Sequence, residues 1–403
     1  MQLVLSAVRG YTKHYQGLSK PVWQAVLLTL LESIAGGVSF VLSLYLVNTL
    51  HFSIEKAGYL IACYGIGTAI GGLLSGRLSD HISPRYITIS CIFLHAFLYW
   101  ILVHSHQFLA LALNLFLMGI CSYGVITSNR IWIMKHCGSD NALRMQSLNI
   151  SYAASNLGMG ISGALIGIFA AQGMQVLFQF VAVVLFLAGI MLLFQSKELP
   201  ITTHHSTIIQ SNKTTHRYAD LKIFLLILIC LCGAGFYVSQ SATTYNVYIE
   251  NTFPTWGLHG ISILAVINTL AIVFFQAPLV TVLKKYNKLI IAGLGVFLMG
   301  FGYLLLNFTF HFFAIAVIAC LVYVLGEMLF FSVAQIICYE KVSEKRKGQA
   351  VGIYQAVYSI SRVAGPATGG LIYQYAGANQ LWWLSAVIGF VLLTACLYYR
   401  KDV

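Results

Sequence analysis

Glu327 sits in the run LVYVLGEMLFFSVA (Leu321–Ala334), where every other residue suits an apolar helix. An acid at the centre of a membrane helix costs ~2.5–3.5 kcal/mol on insertion scales, and such residues mark ion pathways and proton relays. Two more strongly ionisable residues share the setting: Glu32, within LLESIAGG, and Arg362, within SISRVAG. Counted from the ends of their apolar runs, all three lie roughly 16–22 Å deep at ~1.5 Å per residue. That is near the middle of a ~30 Å hydrocarbon core.

The chemistry expected of such carboxyls is proton exchange. A low dielectric disfavours the ionised form, so the group can take a proton from one side and release it on the other as access changes. Arg362 is the expected partner of ionised Glu327 and a fixed positive charge for the site; the alternative is a structural pair ordering two helices. Glu32 either shares the proton-coupling role or binds a cationic substrate directly. Around the charges stand Tyr237, Gln240 and Tyr245 on one helix and Asn114 and Tyr123 on another. Tyr323 is one turn from Glu327, and Tyr354 and Tyr358 share a stripe with Arg362. Aromatic walls with a few hydrogen-bonding groups suit amphipathic ligands. His95 is expected to be a packed histidine.

These residues need long apolar elements to hold them, and the composition supplies them. Of 403 residues, 59% are hydrophobic and 8% charged, against ~25% charged in soluble chains. Apolar runs of spanning length, ~20 residues, fall near 21–47, 57–79, 86–105, 107–129, 147–170, 174–195, 221–248, 259–283, 288–309, 312–338, 349–374 and 380–399. The formal charge of +12 is distributed by position rather than as a nucleic-acid patch. Of the 23 basic residues, all but Lys56 and Arg362 fall in the terminal tails or in alternate loops, such as Arg9, Lys13, Arg77, Arg130, Arg144, Lys197, Lys284 and Arg346. The positive-inside rule then makes both termini cytoplasmic. The nine cysteines read as small apolar residues within helices. The polar N-terminus and long first run read as a first membrane helix rather than a cleaved signal.

The chain repeats itself. Shifted by 202 residues, Arg144 meets Arg346, Tyr152 meets Tyr354, Gly163 meets Gly365 and Gly167 meets Gly369. With one more residue of offset, YLVNTL (Tyr45–Leu50) meets YIENTF (Tyr248–Phe253). Each half holds six spans, so both enter the membrane from the same side. Parallel repeats about an axis along the membrane normal characterise one class of secondary transporter, with the substrate between the halves. The expected division is 1–195, a polar cytoplasmic linker 196–219, and 220–403. The sequon at Asn212–Thr214 faces the wrong compartment for glycosylation.

After the second span comes GRLSDHISPR (Gly76–Arg85). This resembles the loop signature of the major facilitator superfamily at Gly76, Asp80 and Arg85, while His81, Ser83 and Pro84 depart from it. The resemblance implies a latch between the halves, with Asp80 capping a helix and pairing with a basic neighbour. GPATGG (Gly365–Gly370) resembles the superfamily's antiporter motif, with Pro366 and closely spaced glycines for helix packing and sliding. It stands in span 11 rather than the usual span 5, where Gly163 and Gly167 keep a degraded copy. GEMLFF (Gly326–Phe331) and RMQSLNISYAASNLG (Arg144–Gly158) resemble the multidrug:proton antiporter group. The resemblance covers the whole chain and places both glutamates on cavity-lining spans.

The fold expected is all-α and integral to the membrane, twelve transmembrane helices in two parallel six-helix repeats. The function expected is proton-coupled export of drug-like or amphipathic small molecules by alternating access. A proton-coupled importer of a siderophore, small peptide or other nutrient is the alternative. An enzyme is disfavoured because HExxH, GxSxG and paired interfacial carboxylates are absent, and an ATP-driven pump because GxxxxGK[ST] is absent. No cofactor or metal is expected, the proton gradient supplying the energy. The expected setting is the plasma membrane, a bacterial inner membrane, with the protein acting as a monomer.

Overall fold

The computed structural model describes residues 18–42, 45–138, 140–169, 173–194, 213–241, 243–283, 285–309 and 312–402. Arg9, Lys13, Lys197, Lys284 and residues 196–212 of the expected linker lie outside them. Twelve helices of 18 residues or more are found among the described residues. They are α1 (Lys20–Val38), α2 (Ile54–Leu78), α3 (Pro84–His104), α4 (Phe108–His136), α5 (Asn141–Phe169), α6 (Met174–Leu193), α7 (Lys213–Ser241), α8 (Gly257–Leu283), α9 (Lys288–Leu305), α10 (Phe313–Glu340), α11 (Lys347–Ala376) and α12 (Ala378–Tyr398). Ten are long and apolar enough to cross a membrane. The other two, α5 and α11, carry more polar side chains, and the fold turns many inward: Ser147, Asn149, Ser151, Gln355 and Ser359 are all buried.

Local chemistry sets the boundaries. Pro21 and Pro84 open α1 and α3 at positions where a missing N–H costs nothing. Asn287 caps α9 by accepting from the Leu289 and Ile290 amides at 2.9 and 3.3 Å, and Asp140 caps α5 through Ala142 and Leu143 at 2.8 and 3.0 Å. Gly377, at φ +93°, makes the turn between α11 and α12 that a Cβ would strain. Helix α7 starts at Lys213, within the stretch expected as linker; residues 213–219 contain neither Gly nor Pro to stop it.

The repeat is visible in the packing. α1 packs on α5 as α7 packs on α11, α2 on α4 as α8 on α10, and α3 on α6 as α9 on α12. The first helix of each half breaks at an equivalent place. Beyond Val38 come a 3-10 turn, Ser39–Val41, and a π-helix, Tyr45–Thr49; beyond Ser241 comes a separate helix, Thr244–Thr252. The small residues at these joints exchange places. A Cβ on Gly37 of α1 would strike Ser162 of α5, whereas in the second half Ser239 of α7 stands where a Cβ on Gly365 of α11 would go.

The halves meet along α2 with α11 and α5 with α8, a pseudo-two-fold pairing. The buried core of the first half divides. Its outer part is a cluster of its own, including Leu42, Tyr45, Tyr99 and Phe178. The starts of α1 and α5 and the end of α4, through Val22, Ile131, Trp132 and Met145, join the core of the second half. The halves are therefore fused on the face that carries the chain ends. Large apolar side chains such as Phe97, Trp100, Leu113, Phe186, Phe274 and Phe390 cover the outside, where lipid replaces water.

Candidate functional site

Between the halves lies a cavity of about 1640 Å³, lined by α1, α2, α4, α5, α7, α8, α10 and α11. It runs from Arg130, Gln335 and Gln355 at its inner end to Val47, Gly58, Asn246 and Ile261 beside the α1–α2 and α7–α8 connections. The fused face closes its inner end, where Asp80 meets the start of α11.

Both glutamates and Arg362 line this cavity, with Tyr123, Tyr323, Tyr354, Tyr358 and Pro366. Glu327, 9% exposed, accepts a hydrogen bond from the Tyr152 hydroxyl at 2.7 Å through Oε1. A longer contact, 3.5 Å, comes from Asn268 to Oε2. Arg362 makes no ion pair with it: among the described residues no carboxylate oxygen lies within 4.0 Å of the guanidinium, although Glu327 is within its electrostatic reach. The guanidinium instead sits 5.7 Å from the centre of the Tyr358 ring, within reach of the Tyr123 hydroxyl. The i, i+4 stripe explains this, because a tyrosine face one turn away offers a cation a partner within its own helix.

Glu32, 1% exposed, accepts from Ser122 at 2.8 Å and has His95 Nδ1 at 3.2 Å from the same oxygen. The alignment falls short of a hydrogen bond, so Oε2 of Glu32 and both His95 ring nitrogens have no hydrogen-bonding partner. His95 is buried as expected, but it packs against an acid rather than in an apolar wall. Only spatial neighbours reveal this, since α1 and α3 carry no shared motif.

Several expected cavity residues lie elsewhere. Tyr237 is fully buried within the second half, donating to the Ser385 carbonyl at 2.8 Å. Gln240 ties α7 to the glycines of α11, its Nε2 donating to the Gly365 carbonyl at 2.9 Å and its Oε1 accepting from Thr244 at 2.7 Å. Asn114 donates to the Leu98 carbonyl at 3.2 Å, joining α4 to α3. Each side chain is consumed by a helix contact, a use that residue type and depth do not distinguish from facing a cavity.

The glycine motif also divides. Gly365 and Gly369 approach Ser239 and Gln240 so closely that a Cβ would collide, but Gly370 and Gly163 have open space where a Cβ would go. Gly163 lines the cavity instead. Gly167 is helical, with nothing further described of its surroundings.

Asp80 lies at the fused face and accepts from the Gly348 and Gln349 amides at 2.6 and 2.8 Å. Its partners are backbone donors at the start of α11, in the other half, rather than a basic side chain, and a carboxylate there also meets the positive end of the helix dipole. Gly76 allows the approach, since a Cβ would strike the Gly348 carbonyl and Gly352. Arg85 donates to the Leu192 and Leu193 carbonyls at 3.2 Å, closing the end of α6 within its own half. Across the same face, Tyr339 of α10 has Arg144 of the first half 5.2 Å and Lys347 4.7 Å from its ring centre. Asn149, Ser332 and Gln276 link α5, α10 and α8.

Two residues central to this geometry escape a reading by residue type. Tyr152 figures in the sequence as the repeat partner of Tyr354 and within RMQSLNISYAASNLG, with no role assigned to its side chain. Arg130 reads as a loop cation, yet it lies within α4, lines the cavity and donates to Gln335 at 3.3 Å across the halves. The signal was available: no glycine or proline separates Arg130 from the helix before it. Among the described residues no cluster of His, Cys, Asp and Glu is arranged to hold a metal ion.

The family description "Major Facilitator Superfamily" matches residues 25–255 and 225–403. An "Uncharacterized MFS-type transporter YqjV" of Bacillus subtilis (strain 168) is 23% identical over 399 residues, covering 94% of this chain and 93% of the relative. Among solved structures, the human organic anion transporter MFSD10 (TETRAN) superposes with a TM-score of 0.73 at 13% identity, covering 94% of this chain and 100% of that one. A POT family transporter in complex with a thioalcohol-conjugated peptide superposes with a TM-score of 0.74 at 15% identity, covering 96% of this chain and 98% of that one. Both structural likenesses concern the fold.

Proposed function

The chain belongs to the Major Facilitator Superfamily, and from that premise we propose proton-coupled export of drug-like or amphipathic small molecules by alternating access. It is a membrane transporter and not an enzyme. The observation that carries the coupling is Glu327, a nearly buried carboxyl facing the cavity and hydrogen-bonded to Tyr152 of the other half. A proton arriving at Glu327 changes a bond that spans the halves, which ties protonation to their relative position. Glu32, with His95 and Ser122, is a second proton site in the first half.

If the chain-end face is cytoplasmic, as the positive-inside rule expects, we take this structure, closed at that face, for an outward-facing state. Asp80 on the start of α11 is then the latch that must release for the cavity to open inward. Import in symport with protons is the second reading. The peptide complex of the POT family neighbour is compatible with it, and an outward-facing cavity serves either direction. We take the protein to act as a monomer in the plasma membrane, with halves divided near the start of α7.

Proteoliposomes with an imposed proton gradient test the proposal. Substrate-dependent collapse of the gradient that disappears in Glu327→Gln supports it; collapse undiminished in that variant removes Glu327 from the mechanism. The vesicle orientation that responds assigns the direction.

A further inference from the structure

The cavity holds two arginines, and neither is in an ion pair with an acid among the described residues. Arg130 from the first half and Arg362 from the second both line it. Among the described residues no carboxylate oxygen is within 4.0 Å of either guanidinium. Their direct contacts are neutral, Gln335 for Arg130 and the Tyr358 ring and Tyr123 hydroxyl for Arg362, with Glu327 within electrostatic reach of Arg362 but not touching it. The two cavity acids are engaged elsewhere, Glu327 by Tyr152 and Asn268 and Glu32 by Ser122 and His95. Tyr358 lies within electrostatic reach of both arginines and of Glu327, which places all three around one region.

The same region has hydrogen-bond donors with nothing to donate to. Gln335 Nε2 and Gln355 Nε2 are buried, line the cavity and lack partners. Gln335 uses its carbonyl oxygen to accept from Arg130, so its amide nitrogen is left over. A buried donor left without an acceptor is destabilising until one arrives. Two cations and two spare N–H groups without an acceptor describe the complement of an oxyanion.

We infer that the inner end of the cavity binds the anionic group of an amphipathic substrate, a carboxylate or a phosphate, held between Arg130 and Arg362 with Gln335 and Gln355 as further donors. The aromatic surface of Tyr358 and Phe331 then receives the apolar part. Because the guanidiniums come from different halves, the bound anion bridges them, and its charge offsets two cations that otherwise repel. This rests on the cavity being the transporter's substrate site and names the substrate class for it.

Equilibrium binding to the full-length protein in lipid nanodiscs, with no gradient present, tests the inference. The probes are naphthoate and naphthyl phosphate, with naphthamide and naphthylmethylammonium as matched neutral and cationic controls. At least one oxyanion is expected to bind more tightly than both controls. Arg130→Gln and Arg362→Gln should each weaken that binding on the order of tenfold or more. Should either glutamine variant misfold, Arg130→Lys and Arg362→Lys keep the charge and lose the planar fork, and an intermediate affinity is expected. Which oxyanion responds separates carboxylate from phosphate. Tighter binding of the amide or the ammonium, oxyanion binding indifferent to both arginines, or no binding of either oxyanion would overturn the inference. Such a result would leave proton coupling standing if the wild type still collapses a proton gradient with another substrate, so the two failures are distinguishable.

Discussion

The hydroxyl of Tyr152 donates to Glu327 Oε1 at 2.7 Å, and the two residues belong to different halves of the repeat. The acid that cost most to place in an apolar helix is thus joined to the opposite half through one bond. Tyr152→Phe removes the donor while keeping the ring. The ionised carboxylate loses stabilisation that the protonated one needs less, so the pH profile of transport should shift to alkaline pH with the fold intact. An unchanged profile, measured as initial rate against pH in proteoliposomes, would separate this bond from coupling.

Asp80 reaches the start of α11 from the other half through two amide donors. Asp80→Asn keeps one acceptor and loses the charge, weakening the helix-terminus contact by about 1 kcal/mol. The fused face should then open more often. Labelling of a cysteine introduced at Gln349 should speed up several-fold in the variant, and equal labelling rates would contradict the latch.

Close approach of α2 and α11 depends on residues without side chains. A Cβ at Gly76 would meet the backbone of Gly348 and Gly352, while one at Gly370 meets nothing within 4 Å. Gly76→Ala should destabilise this structure by about 1–3 kcal/mol, whereas Gly370→Ala should be neutral or slightly stabilising. Thermal unfolding of the two variants side by side checks the contrast.

Glu32 and His95 are both 1% exposed and lie 3.2 Å apart. Substitutions of touching residues couple by about 0.5–3 kcal/mol. Transport rates of Glu32→Gln, His95→Asn and the double variant should be clearly non-additive; additive losses would make them independent.

The distribution of legibility follows from what each feature depends on. Twelve helices and the two-fold repeat follow from local hydropathy and from the chain's likeness to itself, both readable along one dimension, whereas the breaks after Val38 and Ser241 fall inside the runs 21–47 and 221–248, which hydropathy reads as continuous. That Glu32, Glu327 and Arg362 face the protein interior, where all three line one cavity, was readable from their shared position within the runs. The azimuth of a residue was not. Tyr237, Gln240 and Asn114 have the composition of binding residues, yet they spend their polar atoms on Ser385, Gly365 and Leu98. In a chain of weakly amphipathic helices both faces are apolar, one meeting lipid and the other protein, so hydropathy does not say which side faces the cavity. Partnership was hidden too. Glu327 paired with Tyr152 instead of Arg362, and Glu32 lay against His95, because contacts across helices carry no sequence signature in a single chain.

The most direct test is proton movement in proteoliposomes carrying wild type or Glu327→Gln, with substrate added on one side. Glutamine is nearly isosteric and permanently neutral, so it imitates the protonated state. The account predicts that the variant still binds substrate at equilibrium, no longer moves protons with it and no longer concentrates it against its gradient. Substrate accumulation driven by a proton gradient in Glu327→Gln at the wild-type rate would contradict the central role given to that carboxyl.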